Sequence, residues 1–132
     1  MVKFTASVEA TQDDPVMQFV MCLLHSVTNV HILHLSTKSY SQHKALETFY
    51  TEIGDLVDNF VEAFQGKYGL LTKYTDDFKL PTLPVEYLTY LNDEVKRLRQ
   101  DNNFPQDSEL QNITDEIAQL IDSTLYKLRF LA

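Results

Sequence analysis

Four side chains in this sequence combine the right chemistry with the right spacing to hold a metal ion. His31, His43, Asp58 and Glu62 offer two imidazoles and two carboxylates, a mixed nitrogen and oxygen set that suits iron, with manganese or zinc as alternatives by ligand type. Asp58 and Glu62 are i, i+4, so on a helix both project from one face at adjacent turns and can grip one cation. His31 and His43 flank the polar run Ser36-Thr37-Lys38-Ser39, each within about two helical turns of it. Antiparallel packing across that run is expected to bring the two imidazoles together. His34, one turn beyond His31 on the same face, is a candidate additional ligand or supporting donor.

The two halves cannot meet within one chain, because His43 and Asp58 are 15 positions apart, roughly 22 Å along a helix. A two-fold homodimer solves this: if the second helix packs antiparallel against its symmetry mate, the histidines of one chain face the carboxylates of the other, and two equivalent sites result. Other motifs are missing. The three glycines cannot build a phosphate loop, and neither His-Glu-x-x-His nor Glu-x-x-His occurs.

The elements that must position these residues are helices. With 3 Gly and 4 Pro in 132 residues the chain has little material for the turns of an all-β fold, and 44% hydrophobic with 23% charged residues fits one globular domain. After a polar lead-in over residues 1–14, Asp14-Pro15 reads as an N-cap and first helical position. The first helix spans about 15–35, with Val16, Phe19, Val20, Leu23, Leu24, Val27, Val30, His31 and His34 in one stripe. Ser39 to Gln42 reads as a capping box opening a helix over about 40–66, stopped by Gly66 and Gly69. Residues 67–83 lack a helical period and end in Leu80-Pro81-Thr82-Leu83-Pro84, a long crossover. Helices over about 84–100 and 105–131 follow. Short, long and short connections predict an all-α, ferritin-like four-helix bundle with one crossover between helices 2 and 3.

Charge narrows the partners. Eleven basic against 19 acidic residues give a net charge of −8, which opposes the counterion release that drives nucleic-acid binding. The lead-in carries Lys3 against Glu9, Asp13 and Asp14, so no basic arm for DNA is expected. Lysines alternate with aromatics at Lys67-Tyr68, Lys73-Tyr74 and Phe78-Lys79, but Asp76-Asp77 interrupts them, and a packed crossover with solvated lysines is the favoured reading. The longest unbroken apolar run, Phe19 to Leu24, is far short of the ~20 residues of a membrane span. A single cysteine, Cys22, fits a reducing compartment, and the expected location is the cytoplasm.

The pattern His-x11-His-x14-Asp-x3-Glu, here His31, His43, Asp58 and Glu62, resembles the ferroxidase signature of Dps-type mini-ferritins. Glu47 and Tyr50 also look like residues of that family's second helix, whereas Ile32, Ser36 and Ala63 stand where the family usually has tryptophan, glycine and arginine. The resemblance implies four-helix subunits in dodecameric shells, with sites between subunits that oxidise Fe(II) by peroxide or oxygen and store the ferric product. The expected function is therefore an iron-binding ferroxidase. The alternative is a ferritin-like dimer or oligomer that acts as a protein-interaction or structural module, its histidines and carboxylates retained as an inert hydrogen-bonded cluster.

Overall fold

The computed structural model describes residues 14–75 and 79–131. The lead-in before Asp14 and the crossover residues Asp76, Asp77 and Phe78 lie outside that range. Among the described residues there are four helices and no strand: α1 (Pro15–Ser36), α2 (Tyr40–Tyr68), α3 (Pro84–Arg99) and α4 (Ser108–Phe130).

Local chemistry sets the helix ends. The Asp14 carboxylate accepts from the amides of Val16 at 2.8 Å and Met17 at 3.2 Å, the N-cap that α1 needs. Between α1 and α2, Ser39 Oγ accepts from the Gln42 amide at 3.3 Å, which is half of the expected capping box. The other half is replaced. Thr37 Oγ1 takes the Ser39 amide at 3.1 Å and donates to Gln42 Oε1 at 2.7 Å, because a hydroxyl can do both and lies between them. At its far end α2 runs through Gly66 and stops at Gly69, whose φ of 102° is open to glycine at little cost. A lone helical glycine weakens a helix without breaking it, so Gly66 is passed. α4 starts three residues later than expected, at Ser108, with Asp107 in the N-cap position. The Asp107 carboxylate makes no cap bond. Instead it accepts from the Tyr68 hydroxyl at 2.6 Å and pairs with Lys67, fastening the end of α2 to the start of α4.

Each helix packs against two others: α1 and α4 each touch α2 and α3, while α1 and α4, like α2 and α3, lie across the diagonal. Directions follow from side-chain bonds. Asn29 meets Tyr87 while Gln18 meets Arg97, so α1 and α3 are antiparallel. Arg129 meets Thr89 while Asp115 meets Arg99, so α3 and α4 are antiparallel. α1 and α2 join in a tight hairpin. The diagonal pair α2 and α3 is therefore parallel, and the crossover must run back along the bundle. At the centre Phe19 lies 4.7 Å from Phe60 and 5.1 Å from Phe104, ring to ring, spacings favourable for aromatic pairs. Phe104 comes from the α3–α4 connection.

The α1 stripe differs from expectation at His31, which is exposed, and at Leu33, which belongs to the core. The buried stripe at this end of α1 is centred on Val30, Leu33 and His34, slightly further round the helix than a stripe that holds both histidines. α1 also carries buried Ser26 and Asn29. It is long and apolar enough to cross a membrane by length and composition, with half of that stretch buried inside the bundle.

A Cβ at Gly66 meets nothing within 4 Å, so Gly66→Ala should stabilise by about 0.5–1 kcal/mol and raise the melting midpoint by roughly 2–6 °C. Hydrogen bonds from Lys67 and then Tyr68 hold the Asp107 carboxyl below its ordinary value of 3.8. Its contribution to stability is present above that pH and lost as pH falls through the lowered value. Denaturant midpoints at pH 7 and in strong acid should show Asp107→Asn weaker than wild type at the first and converging with it at the second.

Candidate metal centre

His34 occupies the last turn of α1 and His43 the first turn of α2. The helix end explains their meeting. α1 stops at Ser36 and the Thr37 amide returns to the Leu33 carbonyl, which leaves the His34 carbonyl without a donor from its own helix. His43 Nδ1 supplies one at 2.9 Å, and His34 Nδ1 in turn donates to the His43 carbonyl at 2.7 Å. A carbonyl can only accept, so both Nδ1 atoms carry protons and each neutral ring keeps its lone pair on Nε2. The rings stack at 3.6 Å between centroids and 20° between planes.

Glu47 lies one turn beyond His43 and completes a group. One ligand atom each from His34, His43 and Glu47 falls within 4.8 Å of the other two. Ligands bound to a tetrahedral divalent ion sit roughly 3.3 Å apart, and because the stacked rings hold their in-plane lone pairs side by side, one imidazole would have to turn for both to meet one ion. His34 is buried, while His43 and Glu47 are half-buried, leaving the group a path to solvent. The Nδ1–H to backbone carbonyl bond is the support that metal-binding imidazoles commonly have, since it fixes the tautomer and the ring. Two imidazoles and a carboxylate fit a divalent transition metal.

The expected partner of His43 was His31, but His34 takes that place. Being nearer the turn, His34 reaches across it, while His31 projects to the surface. There His31 stacks on Tyr50 at 4.2 Å and 10°, with His34 edge-on at 5.8 Å. His31 thus borders the group without joining its three closest ligands. Asp58 and Glu62 are exposed and farther along α2, as their spacing requires, and nothing within the chain brings them to the histidines. Glu47 is not among the expected site residues, and the signal that could have found it is its i, i+4 relation to His43, the same relation that singles out Asp58 and Glu62.

The fold and site together define a small antiparallel four-helix protein with a histidine and carboxylate group beside its first turn. The chain belongs to DUF5856, a family of unknown function, which matches residues 34–128 and so includes His34, His43, Glu47, Asp58 and Glu62. It is similar to the "Uncharacterized 14.6 kDa protein in mobD-ri intergenic region" of Enterobacteria phage T4, 27% identical over 131 residues, covering 96% of this chain and 98% of that protein. No solved structure matches the chain.

If the group binds metal, the wild-type chain should take up Zn(II) or Co(II), read by calorimetry or by Co(II) absorption. Removing an outer support of a metal ligand typically costs roughly 10- to 100-fold in affinity, so His34→Ala, His43→Ala and Glu47→Gln should each cost at least tenfold. Acidification should weaken uptake, because protons compete for the Nε2 lone pairs.

Proposed function

We propose that this protein is a ferritin-like, Dps-type iron-binding ferroxidase whose sites are completed between chains. The observation that carries the reading is the pair of imidazoles with both Nδ1 atoms tied to carbonyls and both lone pairs left for metal, next to Glu47. In this reading His34, His43 and Glu47 hold Fe(II), His31 borders the entry, and Asp58 and Glu62 of a two-fold mate close the coordination. The antiparallel pairs and the parallel diagonal joined by a crossover agree with a ferritin-like bundle. Iron is the substrate: two Fe(II) each give one electron to one peroxide, its O–O bond breaks, and two Fe(III) and two hydroxides result. Oxygen is the alternative oxidant and zinc or manganese the alternative metal. Storage requires a closed shell of up to twelve chains, and a reducing cytoplasm would supply Fe(II).

One observation favours a second reading, an inert helical interaction module: the reciprocal histidine bonds satisfy the hairpin end without any ion. Exposed Leu35, Tyr40 and Phe130 would then mark contact surfaces. Anaerobic Fe(II) titration followed by peroxide separates the two. Oxidation should be lost in His43→Ala and in Asp58→Ala, and partly restored when the two variants are mixed, because a mixed dimer rebuilds one intact site. Absence of oxidation by wild type overturns the ferroxidase reading, and loss without restoration overturns the intersubunit site. Sedimentation should give about 31 kDa for a dimer or about 184 kDa for twelve chains of 15.3 kDa.

A further inference from the structure

The side of α2 turned away from α1 forms a groove with α4, and charge is divided along it. One half is a cavity of about 390 Å³ lined by Tyr40, Lys44, Thr48, Lys127 and Leu131 among others. The other half, of about 410 Å³, is lined by Glu52, Asp55, Leu56, Glu116, Leu120 and Ser123 among others. Thr48 and Glu52 are one turn apart on α2, as are Ser123 and Lys127 on α4, so the two cavities run on from one another. Among the described residues, the charged side chains of the first half are both lysines and those of the second are all carboxylates. Glu47, which does not line the groove, stands 3.7 Å from Lys44 in an exposed i, i+3 pair, a kind that contributes little.

The spacing is the same on both walls. Lys44 and Asp55 are 11 positions apart on α2, and Glu116 and Lys127 are 11 apart on α4, about 16 Å in each case. The helices run antiparallel, since Lys67 at the end of α2 pairs with Asp107 ahead of α4. The two lysines therefore share one level of the groove, while Asp55 and Glu116 share another. One line across the groove passes midway between both pairs.

A half-turn about that line lays a second copy on the groove, α2 along α2 and α4 along α4, each antiparallel. Lys44 then meets the partner's Asp55 and Lys127 meets the partner's Glu116, and symmetry repeats both contacts in reverse. The four contacts surround a floor made by Ala45 and Leu120, both buried, and by Leu56, half-buried. A parallel copy would instead set lysine on lysine and carboxylate on carboxylate, so charge selects the direction as well as the register.

We propose that the groove between α2 and α4 is a two-fold docking face for a second copy of this chain, its register fixed by Lys44 on Asp55 and Lys127 on Glu116. The groove lies on the α4 side of α2, whereas His34 and His43 meet on its α1 side. This contact is thus distinct from the one that would bring Asp58 and Glu62 to the histidines, and it needs no metal.

The test is sedimentation equilibrium of the full-length chain at about 0.5 mM in EDTA. In about 50 mM NaCl wild type should pair, giving about 31 kDa from chains of 15.3 kDa, and the pairing should weaken at least tenfold in about 500 mM NaCl, where exposed charges are screened. The double variants Lys44→Glu with Lys127→Glu, and Asp55→Lys with Glu116→Lys, should each pair at least tenfold more weakly than wild type. Mixed in equal amounts, the two should pair with each other as tightly as wild type to within about threefold, because every contact is again between opposite charges. That recovery also requires both variants to be folded. A single chain for wild type at the lower salt overturns the proposal, as does a loss below tenfold in either variant or a mixture that fails to recover. No residue of the metal group is altered, so these outcomes are read apart from the iron titration.

Discussion

Two imidazole-to-carbonyl bonds across the α1–α2 turn govern this structure. A helix that stops leaves carbonyls without donors, and a turn as short as Thr37-Lys38-Ser39 brings few side chains near enough to help. His43 answers the His34 carbonyl left by the end of α1, and His34 returns a bond to the His43 carbonyl in the first turn of α2. The same exchange fixes the register of the hairpin, the tautomer of both rings and the direction of their lone pairs. Folding has thereby ordered both imidazoles, and a metal ion shared by them would require one of the stacked rings to turn its lone pair toward the other.

α1 serves two flanks that the rest of the bundle keeps apart. Its histidine flank meets α2, and its Asn29 flank meets α3 and the crossover. Other buried hydroxyls look after themselves: Ser26, Thr114 and Thr124 each donate to a carbonyl of their own helix three or four residues back. Asn29, like His34, reaches outside its own helix, to a residue 50 and another 58 positions away. It therefore ties the crossover to α3 where the chain has no regular structure of its own.

The helical pattern could be read from spacing alone because the apolar positions of α2, such as Phe49, Ile53, Phe60 and Phe64, repeat with a helical period and all are buried. Caps were harder. The Ser39 cap was readable, but the hydroxyl of Thr37 intercepted Gln42, a competition that depends on the turn's shape. At the start of α4 the carboxylate of the N-cap residue Asp107 goes to Lys67 and Tyr68, about forty residues upstream, and not to the helix. At the candidate site, residue types single out the α1–α2 turn and His43, and the ring that faces His43 there is His34. Whether His31 or His34 faces it is decided by the rotation of α1, which a stripe broad enough to hold both cannot fix. The bonds of Asn29 left no sequence signal, since its partners come together only through the crossover.

Charge makes assembly and metal uptake interdependent in the two-fold arrangement proposed above. The exposed side of α2 carries Glu52, Asp55, Asp58 and Glu62, and two such helices packed antiparallel with their histidine sides together would set carboxylates against carboxylates. Like charges at close range oppose association and do so more strongly as water is excluded. A divalent cation held by His34, His43 and Glu47 of one chain changes the sign of that contact, because the mate's Asp58 and Glu62 then face a positive centre. The ion would bind the dimer better than the single chain, and by linkage it must strengthen the dimer by the same factor. An acidic chain with an exposed carboxylate pair is thus compatible with self-association, provided the cation arrives with the partner.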